Sequence, residues 1–145
     1  MNKQLTLLLA LLISFTISAQ KVIVDFGQFA TGQRFTLNLL WSNAVRLEVS
    51  GSGVSDTTVV NDGVWHHIAA TRSGNTLSIF IDGILDASEL TEGIANLNND
   101  SPIQIGSGAC VEAGFSSPFN GNMEELRIWN KALTQEDVSA KFACS

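Results

Sequence analysis

The sequence predicts an all-β sandwich or barrel with one short helix near its C-terminus. Three observations support this prediction. Short segments alternate apolar and polar residues with a period of two, clusters of Gly, Asn, Asp and Ser separate these segments, and only the C-terminal tail has a helical pattern. The length of 145 residues fits one domain.

The N-terminal segment has the composition of a secretory signal. Lys3 supplies a positive charge, Leu5–Ile17 is a nearly unbroken apolar run, and Ser18-Ala19 offers small residues for cleavage. We therefore predict a signal peptide over residues 1–19, a domain over residues 20–145, and a secreted or cell-surface location. A retained membrane anchor is the weaker alternative, because the run is short for a span and no basic cluster follows it.

The charge balance is acidic and limits the classes of partner. The chain has 14 acidic against 8 basic residues and a formal net charge of −6, and removal of Lys3 with the signal makes the charge more negative by one. This sign disfavours nucleic acid and anionic membrane surfaces as partners. Without the signal, no segment remains that would insert into a membrane.

The predicted strands are read from the period-two pattern. The clearest are Val64–Arg72 and Thr76–Asp82, which the turn residues Ser73-Gly74-Asn75 join into a hairpin. Along the second of these strands, Leu77, Ile79 and Ile81 share one face, which we expect to be buried. Further strands are predicted at Lys21–Phe26, Phe35–Leu39, Val45–Val49, Thr57–Val60, Ile84–Ala87, Ile103–Ile105 and Asn122–Trp129.

The C-terminal helix has a start signal. Thr134 can cap its first turn with Asp137 three residues later, and Val138 with Phe142 gives it an apolar side.

Two cysteines, Cys110 and Cys144, lie in the predicted domain. In an exported chain an even number of cysteines favours a disulfide, and two cysteines allow one connectivity. Such a bond would restrict the unfolded chain by about 4 kcal/mol in the chain-entropy account. A metal site at these residues is the weaker alternative, because their spacing is long and neither has a His or another Cys nearby.

Four segments resemble the laminin G-like, concanavalin A-like jelly roll, the group that includes the pentraxins. They are Asp62–Ala70, Leu77–Gly83, Ile103–Gly106 and Phe119–Thr134, and their order and spacing agree with the family over roughly residues 33–142. The resemblance implies an antiparallel jelly-roll β-sandwich with one short C-terminal helix. It also implies a non-catalytic module for binding or adhesion, which recognises carbohydrate or an extracellular protein surface.

The resemblance leaves the first strands of such a domain missing or reduced. A sandwich without them would expose a sheet edge, which can pair with another chain. The alternative function is therefore a structural or assembly role in a cell-surface complex, in which oligomers form through that edge.

The resemblance also raises calcium as a cofactor, because family members often hold this ion through oxygen ligands at a rim of the sandwich. One ligand is commonly an Asp at the position that Glu124 occupies here, and the extra methylene changes the coordination geometry. The Asn98–Asp100 loop offers further oxygens. Glu124, Asn99 and Asp100 are accordingly the metal candidates, without a complete ligand set.

Aromatic and histidine residues have structural interpretations first. We expect Trp65 to fill space between the two sheets and Trp129 to pack structurally. Trp41, at the end of a strand, is the only tryptophan we consider as an exposed platform for a sugar ring, and even for this residue a structural role is the favoured interpretation. His66 and His67 are neighbours on a strand, so they face opposite sides and cannot easily bind one ion together.

Some glycosidases share this fold, so the sequence was searched for the pair of carboxylates that these enzymes use. They require two carboxylates that flank a sugar bond, and these often come from one strand with alternating acids. Glu124 and Glu125 are adjacent and face opposite ways, while Glu89 and Glu92 are expected in a loop. No motif for a serine nucleophile, a phosphate loop or a zinc site is present. We therefore predict that the protein is not an enzyme.

Overall fold

The computed structural model describes residues 5–13, 20–27, 34–92 and 100–143. They form two packed β-sheets and two short helices, as a jelly-roll sandwich requires. In chain order the strands are β1 (Leu5–Ile13), β2 (Lys21–Gly27), β3 (Arg34–Leu39), β4 (Val45–Val49), β5 (Ser52–Ser55), β6 (Trp65–Ser73), β7 (Thr76–Ile81), β8 (Ile84–Leu90), β9 (Ile103–Ile105), β10 (Ser117–Pro118) and β11 (Gly121–Trp129). The helices are α1 (Ala109–Glu112) and α2 (Gln135–Phe142).

The first sheet has the strand order β11-β1-β6-β7-β8. The second sheet has the order β10-β2-β3-β4-β5, and β9 also pairs with β2. All neighbouring strands are antiparallel except β10 and β2. The all-β sandwich and its C-terminal helix are therefore confirmed.

The main core lies between the sheets and comes from the apolar faces of alternating strands. The predicted inner residues of β3, β4 and β7 are all buried there: Phe35, Leu37, Leu39, Val45, Leu47, Val49, Leu77, Ile79 and Ile81. Because side chains alternate along a strand, the residues between them face the other way. This alternation leaves a polar outer surface on the second sheet.

A smaller cluster covers the outer face of the first sheet. It contains Ala69 of β6, Phe80 of β7 and Val138 of α2, with Trp129 packed against it. The capping box predicted for α2 is present, since the Thr134 side chain accepts a hydrogen bond from the Asp137 amide and the Asp137 carboxylate accepts one from the Thr134 amide. The cap orients α2 so that Val138 is fully buried.

Three local predictions are wrong, and one of them is the loop expected at Glu89, which lies on β8 instead. Trp65 is 44% exposed and does not fill the core. It is the first residue of β6 and has the same phase as Ala69, so it belongs to the outer face of the first sheet. The strand predicted at Thr57–Val60 is a loop, because pairing with β4 takes place earlier, over Ser52–Ser55.

The predicted signal peptide overlaps a strand of the structure. Leu5–Ile13 forms β1, between β6 and β11. Cleavage after residue 19 stays a prediction. Among the described residues, no helix is both long enough and apolar enough to cross a membrane.

Candidate functional site

The outer surface of the second sheet carries a group of polar side chains, here called the polar face: Thr36, Asn38, Arg46, Glu48 and Ser55. The antiparallel register explains the grouping. It places Asn38 opposite Arg46 and Thr36 opposite Glu48, and it places Ser55 on the other side of Arg46. Of this group, Arg46, Glu48 and Ser55 are partly exposed, whereas Thr36 and Asn38 are buried.

Arg46 is the central accessible cation of the polar face. Its Nη1 donates a hydrogen bond of 3.2 Å to Ser55 Oγ, and its Nε lies 3.5 Å from Glu48 Oε2. The side chains of Arg46 and Glu48 are 32% and 34% exposed. A Cβ at Gly53 would lie 2.8 Å from Arg46 Nη2, so the glycine leaves room for the guanidinium over β5. Arg46 is therefore held in place while it keeps contact with solvent.

Asn38 lies beneath this surface and is almost fully buried. Its side-chain oxygen has no hydrogen-bond partner. A buried acceptor without a partner is costly, and most such groups in proteins are satisfied by protein, water or ligand. Asn38 therefore has an unused acceptor on the strand opposite Arg46, but this oxygen is buried and does not reach the surface.

Trp41 is at the end of the same hairpin. Residues 40–44 connect β3 to β4, and the loop is closed by hydrogen bonds from the Leu40 amide to Ala44 O and from the Asn43 amide to Leu40 O. Trp41 is 81% exposed, as a sugar platform requires. The loop begins directly after Leu39, the last residue of β3, so an exposed indole lies at the end of the strand pair that carries Arg46.

A second polar cluster lies at the other end of β3. Asp25 is buried and forms an ion pair with Arg34, with 2.9 Å between Arg34 Nε and Asp25 Oδ1. Arg34 Nη1 also donates to Cys110 Sγ at 2.8 Å, and the Ala109 amide donates to Asp25 Oδ2 at 2.8 Å. A Cβ at Gly108 would meet Asp25 Oδ2 at 2.1 Å, so only glycine permits this approach. The cluster attaches α1 to β2.

The cysteine pairing stays a prediction. Cys110 is a free thiol in the structure, and its predicted partner Cys144 lies outside the described residues. The thiol is partly accessible beside Arg34, so it could be oxidised.

The calcium candidates are not brought together in the described part of the chain. Glu124 lies exposed on β11 of the first sheet, Asp100 is exposed just before β9, and Asn99 lies outside the described residues. Residues 5–13, 20–27, 34–92 and 100–143 contain no group of three His, Cys, Asp or Glu side chains that could hold a metal ion. Calcium binding through Glu124 remains a prediction.

The adjacent histidines have separate environments, as their positions on one strand predict. His66 Nδ1 lies 2.8 Å from Asp82 Oδ2, and His66 Nε2 lies 3.1 Å from Asp62 Oδ1. Burial lowers the pKa of His66, but the hydrogen bonds to Asp82 and Asp62 outweigh it, so the pKa lies above its ordinary value. His67 faces Phe142 of α2, and burial lowers its pKa. His66 thus links the loop before β6 to the turn after β7, while His67 packs against α2.

Sequence reasoning found Trp41 but not the polar face. The sequence signal for the polar face is the polar half of two alternating patterns. Thr36 and Asn38 alternate with apolar residues on β3, and Arg46 and Glu48 do so on β4. The pattern alone does not reveal which polar residues become neighbours, because that depends on the pairing of β3 with β4.

Comparison with known families agrees with this architecture. The sequence profile described as "Concanavalin A-like lectin/glucanases superfamily" matches residues 13–139. The chain is 32% identical over 97 residues to the mouse (Mus musculus) sushi, von Willebrand factor type A, EGF and pentraxin domain-containing protein 1, covering 59% of this chain and 3% of that protein. It is 30% identical over 111 residues to the mouse pentraxin-related protein PTX3, covering 70% of this chain and 29% of that protein. The chain thus spans a small part of both relatives.

Solved structures share the fold. The CBM40 of the Ruminococcus gnavus IT-sialidase, solved bound to α2,3 sialyllactose, has a TM-score of 0.78 at 16% identity, covering 97% of this chain and 83% of that one. A heptameric SAP-like pentraxin from Limulus polyphemus has a TM-score of 0.74 at 19% identity. The match covers 99% of this chain and 71% of the pentraxin chain. Domains LG4-5 of the mouse laminin α1 chain have a TM-score of 0.73 at 16% identity. The match covers 93% of this chain and 38% of the laminin chain.

Proposed function

The chain belongs to the concanavalin A-like lectin/glucanases superfamily, and on this basis we propose that it is an exported, non-catalytic carbohydrate-binding module. The observation that carries the proposal is the combination of the partly exposed Arg46, Glu48 and Ser55 on the polar face with exposed Trp41 at the end of the hairpin of β3 and β4. We propose that this surface binds the sugar.

The chemistry of the polar face suits a sugar. Each sugar hydroxyl is both a donor and an acceptor, so its binding surface needs both kinds of group. Arg46 supplies donors, the carboxylate of Glu48 supplies acceptors, and the side chain of Ser55 can do either. An indole offers a flat apolar surface against the C–H face of a ring. One small area therefore provides the contacts that orient a sugar.

The charge of Arg46 also favours sugars that carry a carboxylate. A guanidinium binds a carboxylate through paired hydrogen bonds, which are stronger than neutral ones. The CBM40 of similar fold was solved with sialyllactose, whose terminal sugar has such a group. Glu48 would have to release Arg46 for this contact, and the exposure of both side chains makes the exchange inexpensive.

A glycan array tests the proposal, followed by calorimetry with the best ligand. The array contains lactose, α2,3 and α2,6 sialyllactose and neutral oligosaccharides, with calcium in one arm and a chelator in the other. We expect Arg46→Ala to weaken binding by roughly tenfold or more, since a hydrogen bond to a charged group is worth about 1.5–3 kcal/mol. Trp41→Ala should have an effect of similar size.

Arg127→Ala is the matched control, because Arg127 is an exposed arginine on the other sheet, paired with Glu125. It should bind as the unmodified protein does. Binding that survives both Arg46→Ala and Trp41→Ala would contradict the assignment of this surface. Absence of binding to every glycan, or hydrolysis of one, would contradict the proposed function.

A further inference from the structure

Glu48 is the acidic neighbour of the cation on the polar face. Arg46 and Glu48 are two residues apart on β4, so their side chains leave the strand on the same face. Arg46 Nε lies 3.5 Å from Glu48 Oε2. A charge-assisted hydrogen bond is about 2.7–2.9 Å long, so this ion pair is loose. Both side chains are partly exposed, and a solute can therefore reach the pair and replace one of its members.

The guanidinium of Arg46 has one edge that two oxygens can bind together. Nη1 is already used, because it donates to Ser55 Oγ at 3.2 Å. Nη2 lies beside Gly53, where a Cβ would be only 2.8 Å away, and no described residue accepts a hydrogen bond from it. Nε and Nη2 are on the same side of the planar group, in a fork that matches the two oxygens of a carboxylate. Glu48 contacts this edge through Nε, which leaves Nη2 available.

A carboxylate on a ligand needs the same edge of Arg46. Since Glu48 lies at Nε, the ligand has to displace Glu48 before it can bind both donors. A carboxylate that gains two charge-assisted hydrogen bonds can replace a partner that makes one loose contact. A neutral sugar hydroxyl brings a single uncharged oxygen and has no such advantage, so Glu48 keeps Arg46 in its presence. The pair therefore discriminates between acidic and neutral sugars at this position.

We infer that Glu48 is a specificity-determining residue, an internal competitor for the Nε–Nη2 edge of Arg46 that a ligand carboxylate displaces and a neutral sugar does not. The ligand class is accordingly a glycan with a carboxylate-bearing sugar over Arg46. This inference rests on the proposed function and deepens it. Glu48 lowers the affinity for an acidic sugar, but it raises the selectivity of the surface, because a neutral sugar cannot use the strongest donors there.

The test is calorimetry of the unmodified protein and Glu48→Gln with three ligands: free N-acetylneuraminic acid, α2,3 sialyllactose and lactose. Glu48→Gln keeps the length of the side chain and removes its charge. We expect the variant to bind the two acidic ligands roughly two- to fivefold more tightly, which is the range for loss of a competing exposed ion pair. Its affinity for lactose should not change.

Glu125→Gln is the matched control. Glu125 and Arg127 are also two residues apart on one strand and form an exposed ion pair, but they lie on β11 of the other sheet. The control changes the net charge by the same amount, so it should bind all three ligands as the unmodified protein does. The Nε–H resonance of Arg46 gives a second readout. It should shift when the free acid is added and stay in place with lactose, a difference that a purely structural role of Glu48 would not produce.

Acidic ligands that bind Glu48→Gln no better than the unmodified protein would overturn the inference. Equal tightening in Glu125→Gln, or equal tightening of lactose, would also overturn it, because the effect would then be one of overall charge or of general access. Failure of the proposed function is distinguishable from these results. If the unmodified protein binds no glycan while Glu48→Gln binds the acids, the proposed function fails and the role of Glu48 is supported. If neither protein binds any of the ligands, both are overturned.

Discussion

Asp56 is a buried carboxyl group at the edge where the two sheets meet. It follows β5, is 5% exposed, and its Oδ1 accepts a hydrogen bond of 2.8 Å from the Val45 amide. Its Oδ2 has no partner. Burial is the largest cause of a rise in the pKa of Asp56 from 3.8 to about 7; the Val45 hydrogen bond opposes the rise, and the charge of Asp86 adds to it.

This raised pKa fixes the sign of a pH effect on stability. Below pH 3.8 Asp56 is protonated in both the folded and the unfolded chain, so it carries no penalty. As the pH rises from 3.8 to about 7, the unfolded chain releases the proton first, and the free energy of unfolding falls. Because each tenfold change in acidity is worth about 1.4 kcal/mol, the full loss is about 4 kcal/mol above pH 7.

Asp56→Asn removes this titration and keeps an oxygen that can accept from the Val45 amide. Urea unfolding of both proteins between pH 4 and 8.5 measures the difference in their free energies of unfolding. We expect that difference to move in favour of the variant by up to about 4 kcal/mol between pH 4 and 7 and then to stay constant. Ser88→Ala, on the same edge strand β8 as Asp86, removes no titratable group and should show no such change relative to the unmodified protein. A difference for Asp56→Asn that does not change with pH would refute the reasoning.

Three further predictions concern the first sheet, the helix and the cysteines. His66→Gln should remove a loss of stability that the unmodified protein shows as the pH rises through the raised pKa of His66, and stability curves at pH 5–8.5 measure it. Thr134→Ala removes the cap of α2 and should lower the free energy of unfolding by about 1 kcal/mol, measured by urea unfolding, while Thr134→Ser should not. Exported protein denatured without reductant should contain no free thiol if Cys110 and Cys144 are paired, and two free thiols would contradict that pairing.

The sheets could be predicted because their signal is local. Alternation along β3, β4 and β7 depends only on which side of a strand faces the core, and those positions are buried as expected. Trp65 shows the limit of this reasoning. Its size suggests a core residue, but its phase on β6 places it on the outer face, where α2 does not fully cover it.

The N-terminal run shows a different limit. A continuous apolar stretch is typical both of a signal peptide and of a buried strand, and periodicity does not separate them. Leu5–Ile13 has this composition and forms a strand with neighbours on both sides. Removal of this segment as a signal peptide stays a prediction, because the same apolar residues suit both roles.

The site could be predicted only in part. Trp41 stands out as a tryptophan at a strand end, whereas the neighbours of Arg46 come from three strands and depend on the sheet register. The burial of Asp56 is also non-local, because it arises where the loop after β5 meets β4 and β8. A single sequence does not indicate which distant residues become neighbours through tertiary packing.

Titration of isotope-labelled protein with the sugar selected by the array, followed through amide chemical shifts, tests the binding surface most directly. We expect the largest shifts at Trp41, Arg46 and Glu48, together with the indole N–H of Trp41, and almost none on β11. Shifts that are concentrated on β11 or on the loop around Asp100, with the hairpin of β3 and β4 unchanged, would contradict the account.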